Sequence, residues 1–185
     1  MTRLCWEWRS RHPREYTPSV PLFEPIFDAL NRAGVRYVVV GGVAVVLHGV
    51  ARLTGDLDLA VDLAPPEARK AIDALVACGF RSRLPVDPHQ FADPAARATW
   101  AREKAMRVFP LWNPTNPLCL IDLFVENPVR FDELWEHSVM LDVGSTAVRV
   151  ASIPDLIRLK RMAARPQDLI DIADLETILK ERGDV

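Results

Sequence analysis

The spacing of hydrophobic residues changes several times along this chain, and each change predicts a helix or a strand. Helical spacing predicts long helices over residues 21–34, 65–79, 154–164 and 166–182, with shorter helices over residues 43–48, 94–104 and 131–136. Apolar runs and alternating patterns predict strands over residues 35–40, 56–63, 106–112, 117–125 and 138–150, the last folding back at Gly144. The chain is therefore expected to form a domain of mixed helices and strands.

The strand that begins at Asp56 has one polar face and one apolar face. Side chains of a strand alternate between faces, which separates Asp56, Asp58, Ala60 and Asp62 from Leu57, Leu59, Val61 and Leu63. Two carboxylates about 6 to 7 Å apart on one face repel each other, and folding does not require them. A divalent cation removes the conflict, because Mg²⁺ prefers oxygen ligands and binds through carboxylates and substrate phosphates. The pattern predicts a metal site on this strand.

A pair of glycines, Gly41 and Gly42, separates the strand over residues 35–40 from the short helix over residues 43–48. Glycines let the backbone approach a ligand closely, and the N–H groups at a helix start attract anions. A tight turn is the more common explanation of such a pair. The acidic strand that follows at short range favours a phosphate-binding turn instead.

Asp122 interrupts the apolar run over residues 117–125, a run typical of a strand that is covered on both faces. A charge in such a strand costs several kcal/mol unless it is paired or bound to metal. A salt bridge to an arginine is the structural alternative. With the aspartate pair upstream, Asp122 is predicted to be the third carboxylate of the metal site.

The two C-terminal helices combine apolar and charged residues. Their predicted inward residues are Leu156, Leu159 and Met162 in the first helix, with Lys160 beside them, and Leu169, Ile172, Leu175 and Leu179 in the second. Acidic residues early in a helix suit the helix dipole. That explanation is adopted for Asp171 and Asp174, whereas Asp168 either orients Lys160 or Arg165 or only begins the helix.

Composition limits the classes of function. The 185 residues have a net charge of -2, which argues against a protein that coats nucleic acid by bulk charge but leaves a local basic patch open. The three cysteines show no metal-type spacing, which indicates a reducing compartment. No apolar run reaches the roughly 18 residues of a membrane span, and no signal-peptide core begins the chain, so a cytoplasmic protein is expected.

The chain is expected to divide into three parts. Residues 1–20 mix arginines with tryptophans and a tyrosine, so this N-terminal arm either stacks on RNA or packs as an extension of the domain. Residues 21–150 form the core, and residues 151–185 form a C-terminal helical tail of the same domain.

These motifs resemble those of nucleotidyltransferases of the polymerase-β superfamily. The matching residues are Gly41-Gly42, Arg52-Leu53-Thr54, Asp56-Leu57-Asp58 and Asp122. The tail over residues 153–175 is similar to that of small bacterial members, which include toxins of toxin-antitoxin and abortive-infection systems. The resemblance covers roughly residues 22–180 and implies an α+β nucleotidyltransferase fold, with a mixed β-sheet flanked by helices and a short C-terminal helical tail. Many members carry serine where this chain has Gly42.

The resemblance implies a two-metal mechanism. Asp56 and Asp58 would bridge two Mg²⁺ ions, with Mn²⁺ as an alternative, and Asp122 would complete the site on the side of the attacking hydroxyl. The residues expected to bind the nucleoside triphosphate are Gly41, Gly42, Arg52, Thr54, Lys160 and Arg165. A nucleoside monophosphate would be transferred to an acceptor hydroxyl.

Three readings of the biological role stay open. The acceptor is either RNA, for example a tRNA 3′ end, or a protein, in a toxin with a cognate antitoxin as partner. It is alternatively a small hydroxylated antibiotic of the aminoglycoside or lincosamide type. The third reading is an inactive binding module, against which the three carboxylates Asp56, Asp58 and Asp122 argue.

Overall fold

The structure, a computed structural model, describes residues 22–183, so the predicted N-terminal arm over residues 1–20 lies outside the described residues. The helices are α1 (Glu24–Arg32), α2 (Gly41–Leu47), α3 (Pro65–Ala77), α4 (Pro94–Lys104), α5 (Phe131–His137), α6 (Ile153–Ala163) and α7 (Pro166–Arg182), with a 3₁₀ helix at Pro88–Ala92. The strands are β1 (Tyr37–Val40), β2 (Asp56–Val61), β3 (Arg81–Ser82), β4 (Val108–Asn113), β5 (Asn116–Phe124), β6 (Val139–Val143) and β7 (Thr146–Val150).

Within residues 22–183 the strands form one mixed sheet in the order β3-β4-β5-β2-β1-β7-β6. The pairs β2/β5 and β1/β7 are parallel, and the other neighbouring strands are antiparallel. The predicted α+β fold with a mixed sheet flanked by helices is confirmed. The two strands that carry the predicted metal ligands, β2 and β5, are direct neighbours.

One face of the central strands is buried and the other is open. On β5, Ile121 and Leu123 are completely buried, whereas Leu120, Asp122 and Phe124 on the opposite face are half-buried. The prediction that the strand over residues 117–125 is covered on both faces is therefore wrong. Within residues 22–183, helices cover β4 on the buried face, where the rings of Phe91 and Trp100 pack against Phe109.

Five of the seven residues predicted to point inward on the C-terminal helices pack in or against the hydrophobic core, and two do not. Met162 and Leu169, predicted to point inward, are 57% and 66% exposed, while Lys160, Asp168 and Asp171 are buried. The reason is an ion network between α6 and α7 that occupies the inner face. Leu156 and Leu175 pack in the hydrophobic core beside it.

Among residues 22–183, we find no helix with the length and apolar character that a membrane span requires.

Candidate active site

Three aspartates converge at one end of strands β2 and β5. Because the two strands are parallel and in register, Asp58 lies directly opposite Asp122, and Asp56 lies one pleat away on the same face. Carboxylate oxygens of Asp56, Asp58 and Asp122 all lie within 4.8 Å of one another. The structure thus brings together the three residues that the sequence analysis selected as metal ligands.

The carboxylates of the cluster repel one another. Burial, followed by the charges of Asp56 and Asp122, raises the pKa of Asp58 to about 7, against opposing effects of Arg165 and of a hydrogen bond from the Gly42 backbone. Burial and Asp56 also raise the pKa of Asp122, which Arg83 opposes. Hard oxygen ligands that repel one another are the ligand set that Mg²⁺ prefers. The chemistry of these residues therefore fits a divalent cation.

The glycine turn lies directly against the aspartates. Gly41, the first residue of α2, has φ +62°, and a Cβ atom there would overlap the carboxylate of Asp58. A Cβ atom on Gly42 would overlap the hydroxyl oxygen of Thr54, and it would lie 3.2 Å from Nη2 of Arg52. Thr54 therefore fills the space that a serine side chain at position 42 would need, and it places a hydroxyl beside the turn.

Gly41→Ala is expected to abolish Mg²⁺-dependent binding of nucleoside triphosphates, because the new Cβ displaces the Asp58 carboxylate. Gly34→Ala is the matched control, since Gly34 has a similar φ of +64° but no atom near the position of a new Cβ. Both variants should lose roughly 1 to 2 kcal/mol of stability from the left-handed backbone. The measurement is the dissociation constant of Mg²⁺-nucleotide, and equal affinities of the two variants would contradict a phosphate role for this turn.

A buried ion network brings Lys160 and Arg52 to the same carboxylate oxygen of Asp171. Oδ2 of Asp171 lies 2.5 Å from Nζ of Lys160 and 2.5 Å from Nη1 of Arg52. Burial acts to raise the pKa of Asp171, but hydrogen bonds from Lys160 and Gln167 and the charges of Lys160 and Arg52 outweigh it, so the pKa is lowered. Asp171 therefore stays ionised and links helices α6 and α7 to the segment that precedes β2.

Asp168 both begins helix α7 and contacts Arg165 and Lys160, the two roles that the sequence left as alternatives. Its carboxylate accepts the backbone N–H of Arg165 at 3.0 Å, which begins α7, and Nε of Arg165 at 2.9 Å. It also lies 3.4 Å from Nζ of Lys160. Burial favours a raised pKa of Asp168, yet the hydrogen bonds from Arg165 and the charge of Lys160 lower it.

Asp171 is the residue that the sequence analysis missed, since it was explained by the helix dipole. The available signal was positional: residues 168, 171 and 175 share one helical face, and Leu175 on that face is completely buried. Two aspartates on the core-facing side of a helix require a cation, and Lys160 on the preceding helix supplies it. Asp174 is exposed, as the helix-dipole interpretation predicts.

A cleft opens between the end of β1 and the two C-terminal helices. It is lined by Val40, Gly41, Asp58, Phe124, Leu156, Leu159, Lys160, Ala163, Arg165 and Asp168. Three predicted nucleotide-binding residues, Gly41, Lys160 and Arg165, therefore lie in one cleft with Asp58. Arg52 and Thr54 do not line it, but lie on the other side of the turn, against Gly42.

A second group of potential metal ligands, Glu133, His137 and Asp155, is already paired within the protein. Nδ1 of His137 lies 3.1 Å from Asp155, and Glu133 accepts a hydrogen bond of 2.5 Å from Arg158. Ser152 donates to Asp155 at 2.8 Å. Glu133 is thus ion-paired to Arg158, and the carboxylate of Asp155 already accepts the hydroxyl of Ser152.

Several solved structures share this fold. The lincosamide antibiotic adenylyltransferase LnuA, solved with lincomycin bound, aligns with a TM-score of 0.58 at 15% identity, over 86% of this chain and 98% of that chain. ANT(2″)-Ia, in complex with adenylyl-2″-tobramycin, aligns with a TM-score of 0.55 at 16% identity, over 89% of this chain and 90% of that chain. An antigenic nucleotidyltransferase-like protein from Paracoccidioides brasiliensis aligns with a TM-score of 0.54 at 16% identity, over 86% of this chain and 74% of that chain.

Comparison with curated protein sequences finds no match. Residues 27–183, most of the chain, match the family described as nucleotidyl transferase AbiEii toxin of type IV toxin-antitoxin systems. The fold and the family agree with the resemblance seen in the motifs around Gly41, Asp56 and Asp58. The chain therefore belongs to the AbiEii nucleotidyl transferase toxin family, and the protein is a nucleotidyltransferase.

Proposed function

We propose that the protein is a metal-dependent toxin that transfers a nucleoside monophosphate from a nucleoside triphosphate to a hydroxyl group of RNA, such as tRNA, or of a protein. The observation that carries the proposal is the convergence of Asp56, Asp58 and Asp122 within 4.8 Å, beside a glycine turn and a cleft that contains Lys160 and Arg165. Membership of the toxin family adds a cognate antitoxin as the expected partner.

Asp56, Asp58 and Asp122 are the residues that would hold Mg²⁺, with Mn²⁺ as an alternative. When bound, the cation neutralises charge on the triphosphate and lowers the pKa of the attacking hydroxyl. The carboxylate of Asp58 must be ionised to serve as a ligand. Since the pKa of Asp58 is about 7 without metal, metal affinity should fall as the pH drops below neutrality.

The triphosphate is positioned by groups on the cleft side of Asp58. Gly41 allows close approach of the backbone, while Lys160 and the exposed side chain of Arg165 line the cleft together with Asp168. Arg52 and Thr54 support the turn from behind. These cations stabilise the negative charge that develops on the leaving pyrophosphate.

Asp122 lies on the side of Asp58 that is away from β1, since β5 and β1 flank β2 on opposite sides. With its raised pKa, Asp122 is suited to accept the proton of the attacking hydroxyl. The hydroxyl oxygen forms a bond to the α-phosphorus, and the bond from that phosphorus to the bridging oxygen breaks. Pyrophosphate leaves towards Gly41 and Arg165.

A small hydroxylated antibiotic is the second candidate acceptor. It is favoured by the fold shared with LnuA and ANT(2″)-Ia, whose structures contain lincomycin and adenylylated tobramycin. The chemistry of an aminoglycoside would demand an acidic pocket to receive its ammonium groups. The cleft next to Asp58 instead combines Asp58 and Asp168 with Lys160 and Arg165, so its lining has no excess of negative charge.

The experiment that separates these candidates uses purified protein, Mg²⁺ and each nucleoside triphosphate labelled at the α-phosphate. Parallel reactions contain total RNA, a mixture of cell proteins, or a panel of aminoglycosides and lincosamides. Label is expected on an RNA or protein acceptor with wild type and on no acceptor with the Asp56→Ala/Asp58→Ala variant. Label only on an antibiotic supports the second candidate, and no label on any acceptor rejects both.

A further inference from the structure

Helix α7 has a charged inner face and an apolar outer face, the reverse of what an ordinary surface helix shows. The inner face holds Asp168 and Asp171 in the buried ion network. With about 3.6 residues per turn, the opposite side of the helix carries four apolar residues within a sector of about 100°. We call these residues the outer face: Pro166, Leu169, Ile170 and Ala173.

The outer face is exposed to solvent in the part of the chain that the structure describes. Leu169 is 66% exposed and Ile170 is 57% exposed, and the two smaller residues of the face are exposed as well. A surface of neighbouring apolar side chains marks an interaction site, whereas a single exposed apolar residue such as Met140 on β6 is ordinary. The outer face therefore indicates a contact with another molecule.

The side chains of the outer face are complementary in size to those of a second α7. In an antiparallel pair of α7 helices with a two-fold axis level with Asp171, Leu169 and Ile170 lie opposite Ala173 of the second copy. The large side chains of one helix then fill the groove beside the small side chain of the other. Pro166 lies opposite Thr177 of the second copy, which is also exposed. The outer face thus fits itself.

The charges beside the outer face are complementary in the same arrangement. A two-fold axis brings the same flank of the two helices together, and Arg165 and Glu176 lie on one flank, about 16 Å apart along the helix. Arg165, whose side chain is 71% exposed, therefore lies opposite Glu176 of the second copy. Glu176 accepts from Arg161 at 3.0 Å and can accept a second donor, because its side chain is 41% exposed. A parallel pair would instead place Arg165 against its own copy.

We propose that the protein forms a symmetric dimer in which the outer faces of two copies pack antiparallel. A lipid surface does not fit this face, because anionic headgroups would repel the exposed acids Asp174 and Glu176 beside it. Ala163 and Arg165, which begin the connection between α6 and α7 and end it, also line the cleft beside Asp58. Each cleft therefore opens next to the second copy.

Sedimentation velocity of the whole protein over a series of concentrations measures the dimer. The wild type is expected to change from a monomer of 20.8 kDa to a species of twice that mass as the concentration rises. Leu169→Asp and Ile170→Asp should each weaken the dimer by about 10-fold or more, because a carboxylate would be buried among apolar side chains. Met140→Asp on β6 is the matched control, since Met140 is 54% exposed, and it should dimerise as wild type does. Circular dichroism verifies the fold of each variant.

Glu176→Lys tests the antiparallel pairing. It puts a positive charge opposite Arg165 of the second copy and should weaken the dimer about 10-fold at low salt, with a smaller effect at high salt. Loss of the exposed pair with Arg161 costs the monomer little stability. Glu181→Lys makes the same change on the same helix, beyond the end of the opposing helix, and should leave the dimer unchanged.

A wild type that stays monomeric over the whole series would overturn the inference, as would a dimer that Leu169→Asp and Ile170→Asp leave unchanged. Equal effects of Glu176→Lys and Glu181→Lys on the dimer would overturn the antiparallel pairing. These measurements need neither a nucleotide nor an acceptor, so their failure would leave the proposed nucleotidyl transfer unaffected.

Discussion

Asp58→Asn is expected to lower nucleotidyl transfer by about 10³-fold or more while stabilising the metal-free protein. The loss of activity follows because an amide is neutral and a poor ligand for Mg²⁺. The gain in stability follows because Asp58 is half-buried beside Asp56 and Asp122, and asparagine removes one of three repelling charges. This trade-off between stability and activity is expected at a site that holds repelling groups together.

The pH dependence of that stability has a defined sign. The pKa of Asp58 is about 7 in the folded protein, against 3.8 as its ordinary value. Between these values the folded state binds more protons, so the free energy of unfolding falls as the pH rises from about 4 to about 7. At pH 8 without metal, Asp58→Asn should be more stable by on the order of 4 kcal/mol, or roughly 10 °C in Tm.

Thermal unfolding of wild type and Asp58→Asn at pH 4 and pH 8, each with and without Mg²⁺, measures this effect. The difference should be large at pH 8 and small at pH 4, where Asp58 is protonated in the folded wild type and partly protonated in the unfolded wild type. Mg²⁺ should raise the Tm of the wild type at pH 8 and leave that of the variant nearly unchanged. If metal-free Asp58→Asn is less stable than wild type at pH 8, repulsion by Asp56 and Asp122 does not destabilise the folded protein at Asp58.

Asp171→Ala is the change with the largest expected loss of stability, about 3 to 5 kcal/mol. It leaves Lys160 buried without its closest partner and releases Arg52 from α7. Asp174→Ala is the matched control, because Asp174 lies on the exposed side of the same helix and should change stability by less than about 0.5 kcal/mol. Urea unfolding followed by circular dichroism measures both variants.

A double variant separates the structural role of this network from its role in nucleotide binding. Lys160→Met/Asp171→Leu replaces the buried pair with apolar side chains of similar size and should recover most of the lost stability. It should not recover nucleotide binding, because the cation of Lys160 in the cleft is gone. Wild-type affinity for the nucleoside triphosphate in this double variant would show that Lys160 is only structural.

The three metal ligands could be predicted from the sequence because each is a charged residue in a segment whose hydrophobic pattern predicts a strand. Asp56 and Asp58 share one face of a strand whose other face is apolar, and Asp122 interrupts an apolar run. The sequence could not show that β5 lies next to β2, since that depends on long-range strand pairing. The structure supplies this adjacency, and with it the 4.8 Å cluster.

The errors have a common physical cause, which is that apolar residues were assigned to the core without regard to other partners. Leu120 and Phe124 are as apolar as Ile121, yet they lie on the open face beside the site. Met162 and Leu169 are exposed because charged residues take the inner positions of α6 and α7. In the sequence, the helix dipole alone explains an aspartate at position 171. Only the tertiary contacts of Asp171 with Lys160 and Arg52 show that its side chain is buried in an ion network.

The central claim is that Asp56, Asp58 and Asp122 support transfer of a nucleotidyl group, and the position of a radioactive phosphate tests it most directly. Wild-type protein is incubated with RNA, Mg²⁺ and the same nucleoside triphosphate labelled either at the α-phosphate or at the γ-phosphate. We expect the α-label on the RNA and the γ-label in released pyrophosphate, with neither reaction in the Asp56→Ala/Asp58→Ala variant. Transfer of the γ-label to the RNA, or α-label transfer that survives in the variant, would contradict the account.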